Sequence, residues 1–80
     1  MKKYIATFYS HFGAVRFVRE LREKGFEGKI MPVPRDLSSS CGSCVYYEAD
    51  TWLEDSAKGE IEQTAEVLDK GYEIVYRAAD

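Results

Sequence analysis

The stretch Lys58-Gly59-Glu60-Ile61-Glu62-Gln63-Thr64-Ala65-Glu66-Val67-Leu68-Asp69-Lys70 decides the fold. Ile61, Thr64, Ala65 and Leu68 recur at helical spacing and mark the inner face of a helix over residues 58–70. Gly71 then supplies a C-terminal stop. Beyond it, residues 72–77 (Tyr-Glu-Ile-Val-Tyr-Arg) read as a last strand, with Tyr72, Ile74 and Tyr76 facing one way. On the other side, residues 45–49 alternate. Val45, Tyr47 and Ala49 take one side and Tyr46, Glu48 and Asp50 the other, as a half-buried strand requires. Between them, residues 50–59 are polar, with Trp52 and Leu53 as the only large apolar side chains.

Further upstream, residues 4–9 are β-branched and aromatic and predict a strand. Ser10 is a good N-cap for a helix over residues 12–24. Its apolar positions are Ala14, Phe17, Val18 and Leu21, opposed by Arg16, Arg19, Glu20 and Glu23. Glu20 and Lys24 make a favourable i,i+4 pair, and Gly25 is a natural stop. A short strand over residues 29–33 follows; Pro32 and Pro34 donate nothing to a ladder and predict an edge position. The order β-α-β-β-α-β predicts an α+β domain spanning residues 1–80. It is the ferredoxin-like split βαβ arrangement, an antiparallel sheet with two helices on one face.

Eighty residues suit a single small domain with a modest core. The net charge is −3 and there is no long basic run, which makes nucleic acid a poor partner. The six tyrosines invite comparison with base-stacking RNA-binding sheets, but the charge and the Glu73/Arg77 alternation argue against it. A homodimer through the open sheet face or an edge strand explains surplus tyrosine more simply. No apolar run approaches the roughly 18 residues of a membrane span. Met1-Lys2-Lys3 leads straight into strand-like sequence without a signal-peptide pattern. The expected location is the cytoplasm, where thiols stay reduced.

The chemistry concentrates in Pro34-Arg35-Asp36-Leu37-Ser38-Ser39-Ser40-Cys41-Gly42-Ser43-Cys44. Two thiols separated by two residues can close a disulfide, share a metal, or pass a sulfur atom between them. Ser38, Ser39 and Ser40 supply hydroxyls and backbone N–H groups, Gly42 permits a turn with positive φ, and Arg35 is a permanent cation. In the expected topology the first two strands run parallel, so their ends share one edge of the sheet. The cysteine loop then meets His11 and the N-terminus of the first helix, and both favour a thiolate. Simpler readings stand beside these. A free cysteine is often a small core residue, a serine run a solvated loop, Arg35 a partner of Asp36 or Glu48, and His11 an exposed first-turn residue.

The pattern Pro34-Arg35-x-Leu37-Ser38-Ser39-Ser40-Cys41-Gly42 lies about thirty residues after a strand that ends in an aromatic-Ser helix start. It resembles a small bacterial family of sulfur/selenium carrier-like proteins of unknown function. The resemblance covers most of the chain and is most specific from Pro34 to Gly42. It implies that Cys41 bears sulfur or selenium as a persulfide or selenosulfide. The atom would come from a cysteine desulfurase-type donor and go to an unknown acceptor, with Arg35 and Ser38 to Ser40 as the surround. Cys44 would resolve the persulfide by forming the disulfide. Such a protein is a carrier rather than a stand-alone enzyme and calls for no cofactor. The alternative is a metal-binding or structural and regulatory module. Cys41 and Cys44 would provide half of a zinc or iron site, with His11 as a third ligand, or with a second copy of the chain completing a Cys₄ site.

Overall fold

Ser10 starts the helix by leaving extended geometry (φ −139°, ψ 155°) and accepting the Gly13 N–H on its Oγ. In the computed structural model, which describes residues 1–54 and 59–78, this helix is α1 (His11–Glu23). It follows β1 (Lys2–Phe8) and precedes β2 (Gly28–Pro32), β3 (Ser43–Ala49), β4 (Ile61–Leu68) and β5 (Gly71–Arg77). The strands form one sheet in the order β2-β3-β1-β4-β5, with every neighbouring pair antiparallel.

The helix buries Gly13, Ala14, Phe17, Val18 and Leu21 against β1, β2 and β3. Directly opposed residues share a face of a sheet. Tyr4, Ala6 and Phe8 of β1 therefore join Val45 and Tyr47 of β3 and Ile61 of β4 beneath the helix. Phe17 packs between the rings of Phe8, 5.4 Å away, and Tyr47, 5.6 Å away at 73°, and Tyr47 stacks on Tyr4 at 5.5 Å. Ile5, Thr7, Cys44, Gln63 and Ala65 occupy the opposite face.

The expected second helix is not formed, and the ferredoxin-like split arrangement with two helices is not adopted. Residues 61–68 of the stretch read as helical are strand β4, and residues 55–58, where that helix was to begin, lie outside the described residues. Among the described residues α1 is the one helix. The physical reason is a coincidence of periods. Ile61 and Thr64 are three apart, which suits one face of a helix; in the strand the extra residue Glu62 puts the same two on one face, opposite Phe8 and Ala6. Gln63 and Ala65 alternate on the other face, and Gln63 is buried despite its polarity. Gly71 does not end a helix: Leu68 pairs with Gly71 across a tight Asp69-Lys70 turn, and Gly71 opens β5 at φ 140°.

Two irregularities interrupt the ladders. In β4, Ile61 faces Phe8 and Gln63 faces Thr7, so Glu62 is an extra residue, a β-bulge. In β5, Ile74 faces Ala65 and Tyr76 faces Thr64, so Val75 is extra, and Ile74 and Tyr76 lie on opposite faces rather than together. Tyr76 thereby meets Trp52, with ring centroids 4.9 Å apart. Trp52 and Leu53 both pack on the core. The Leu53 N–H donates to the buried Tyr47 hydroxyl at 2.9 Å, whose pKa burial pushes up to about 12. No helix among the described residues is long and apolar enough to cross a membrane.

Candidate functional site

The loop of residues 33–42 joins β2 to β3 and closes where Val33 N–H donates to the Gly42 carbonyl at 3.3 Å. Gly42 makes the corner at φ 75°. Leu37 N–H bonds the Pro34 carbonyl at 3.0 Å, and this turn carries Arg35 and Asp36, both exposed.

Each serine of the run has its own partner. The Ser38 carbonyl accepts from Gln63 Nε2 at 2.9 Å. Ser39 Oγ donates to the Phe8 carbonyl at 3.3 Å, accepts from the Cys41 N–H at 3.3 Å, and lies 3.8 Å from Cys41 Sγ. Ser40 gives its N–H and its Oγ–H to the Glu62 carboxylate at 3.1 and 2.9 Å. The bulge aims Glu62 at the loop, and Thr7 Oγ1 supports the same carboxylate at 3.5 Å.

The two thiols are free and differ sharply in setting. Cys41 is half-buried, rests against the core and directs Sγ to the Ser43 carbonyl at 3.5 Å. Cys44 is a strand residue, not a loop residue, and is 0% exposed. Its S–H donates to the Pro32 carbonyl at 3.6 Å. Burial first, and then negative charge at Cys41, push its pKa up to about 11. A thiol so placed stays protonated at neutral pH.

The start of α1 does approach the loop, through His11 Nδ1 and Ser43 Oγ at 3.4 Å. The helix N-terminus itself is taken by a carboxylate of the protein. Ser10 Oγ donates to Glu60 Oε2 at 3.2 Å, and Gly13 leaves room for it, since a Cβ there would stand 2.5 Å from that oxygen. The structure thus brings Cys41, Ser38, Ser39, Ser40 and Gly42 together, joins His11 to them through Ser43, and leaves Arg35 on the exposed turn. Among the described residues no three His, Cys, Asp or Glu side chains converge as metal ligands. Ser43, Glu60, Glu62 and Gln63 were not foreseen. The last three fall in the stretch read as a helix, where nothing tied them to the cysteines.

Comparison with known proteins agrees with the motif. The model of the family described as "Putative Se/S carrier protein-like" matches residues 3–67. A curated relative, "Uncharacterized protein YtiA" of Escherichia coli (strain K12), is 30% identical over 46 residues, 58% of this chain and 54% of its own length. The chain therefore spans about half the length of that relative. No solved structure matches.

Proposed function

This chain belongs to the Se/S carrier protein-like family, and from that premise we propose that it carries a sulfur or selenium atom on Cys41. The observation that supports this most is the contrast between the thiols. Cys41 is partly open, with the Ser39 hydroxyl beside its sulfur, while Cys44 is sealed and held protonated.

In the loading step the Cys41 thiolate attacks the outer sulfur of a donor persulfide, as a cysteine desulfurase would present it. The donor's S–S bond breaks, its electron pair leaves on the donor thiolate, and Cys41 becomes a persulfide. No net oxidation occurs. In the unloading step an acceptor nucleophile attacks the same outer sulfur and the Cys41 thiolate departs. Ser39 Oγ, which donates to the Phe8 carbonyl at rest, would serve both steps by turning its one proton to the sulfur anion 3.8 Å away. Selenium follows the same scheme as a selenosulfide. Arg35, on the exposed turn, would meet the donor or acceptor rather than the sulfur.

Resolution by Cys44 is a separate step. Its thiolate would attack Cys41 Sγ, expel hydrosulfide and leave a disulfide. With a pKa of about 11, roughly one Cys44 in ten thousand is ionised at pH 7. Handing the sulfur to an external acceptor is therefore the favoured route. The test is mass spectrometry after incubation with a cysteine desulfurase and cysteine, or selenocysteine for selenium. Gain of one sulfur on Cys41 is expected; no gain on either cysteine would end the carrier reading.

A further inference from the structure

Consecutive strand residues normally project to opposite faces. Glu62 and Gln63 do not: the bulge in β4 lets both grip one loop, at Ser40 and Ser38. Between those two grips lies Ser39, whose hydroxyl fixes the Cys41 backbone and touches its sulfur. The grips differ in kind. Gln63 is 8% exposed and its bond is part-buried, whereas both bonds from Ser40 to Glu62 are exposed. An open groove of about 430 Å³, lined by Tyr9, Ser38, Glu62, Gln63 and Arg77, brings solvent up to that carboxylate. Water in that groove can take over the Glu62 carboxylate when Ser40 lets go.

Cys41 itself is in a resting pose. Its S–H donates to a carbonyl oxygen, the Ser43 C=O, at 3.5 Å. A reacting sulfur has to leave that carbonyl, and with Val33 bonded to Gly42 the hairpin end is closed behind it. The freedom has to come from the serine side of the loop.

We propose that Glu62 and Gln63 are positioning residues that latch the cysteine loop, Gln63 as the fixed hinge and Glu62 as the releasable clasp, so that the Cys41 sulfur meets a reactant when Ser40 leaves the Glu62 carboxylate. The proposal takes from the carrier reading only the identity of Cys41 as the reacting atom. It explains why the family motif lies on one segment while the residues that hold it lie on β4. Removing a hydrogen bond to a charged group shifts such an opening equilibrium by about tenfold.

The experiment measures the iodoacetamide rate of Cys41 in a Cys44→Ser background, from about pH 6 to about pH 11, with amide exchange at Ser40 and Cys41. Glu62→Ala is expected to raise the high-pH plateau rate and both exchange rates about tenfold. Glu62→Gln keeps an acceptor for the Ser40 N–H and is expected to fall between Glu62→Ala and the parent. Ser40→Ala, at an exposed position, removes one bond without touching the charge and is expected to give a rise of about threefold. Removal of charge alone would speed alkylation only below the thiol's titration and would make Glu62→Gln equal to Glu62→Ala. That pattern overturns the latch, as does a plateau unchanged in Glu62→Ala or, should that variant not fold, in Ser40→Ala. Alkylation and exchange need no sulfur donor, so failed sulfur loading would end the carrier reading and leave this result standing.

Discussion

The loop of residues 33–42 and strand β3 each hold one cysteine, three positions apart, and treat it differently. The loop is held by side chains: Gln63 on Ser38, Glu62 on Ser40, and Ser39 on Cys41. Strand β3 is held by ladders on both sides, paired with β1 and with β2. Side-chain bonds at the surface open more cheaply than a ladder in mid-sheet. Cys41 therefore sits where local opening costs little, and Cys44 where it requires separating strands. Two residues of spacing put one thiol in a loop held by side chains and the other in the middle of the sheet.

The largest expected effect is in reactivity. Near pH 8, iodoacetamide should label Cys41 at least about a hundredfold faster than Cys44, because a thiol of pKa about 11 is almost wholly protonated there. Peptide mapping after timed labelling measures the ratio; equal labelling would erase the distinction between the two regions.

Next comes alkaline stability. Cys44 has a folded pKa of about 11 against 9.0 for an ordinary thiol. A raised pKa favours the folded state while the group is protonated in both states. That contribution is complete below about pH 9 and is lost as pH rises through about 11. The two-unit rise corresponds to about 2–3 kcal/mol. Urea unfolding under reducing conditions at about pH 8 and about pH 11 should show this loss in the parent and less of it in Cys44→Ala. Tyr47, pushed up to about 12, adds a further loss above about pH 10 in both proteins. An identical alkaline loss in Cys44→Ala would mean that Cys44 is not held as described.

A smaller effect is expected at Ser39. Ser39→Ala removes the hydroxyl between the Phe8 carbonyl and Cys41. A loss of about 0.5–1.5 kcal/mol is expected. Urea unfolding measures it, and Ser38→Ala, whose contact runs through its backbone carbonyl, should show no such loss.

The sequence made the N-terminal half readable and misled in the C-terminal half, for reasons visible in single residues. Ala14, Phe17, Val18 and Leu21 fit a helix and nothing else, and Ser10 caps it as expected. Val45, Tyr47 and Ala49 fit a strand and nothing else. Ile61 and Thr64 fit both, because the bulge at Glu62 brings them to one face of β4. Ala65 and Leu68 extend the helical spacing, although Thr64 and Val67 are β-branched and Asp69-Lys70-Gly71 has the look of a hairpin turn. Gln63, polar yet buried by its bond to Ser38, hid the alternation. The cysteine loop stood out by composition alone. What holds it did not, because Glu62 reaches the loop through a bulge, and a bulge depends on pairing with β1 that no local pattern announces.

Sulfur loading of the two single-cysteine variants tests the central claim most directly. Cys44→Ser and Cys41→Ser are each incubated with a cysteine desulfurase and cysteine, and the intact masses are read. The account predicts one added sulfur on Cys44→Ser, removable by a reductant, and none on Cys41→Ser. Sulfur on Cys41→Ser, or on neither variant while the desulfurase itself is charged, would contradict it.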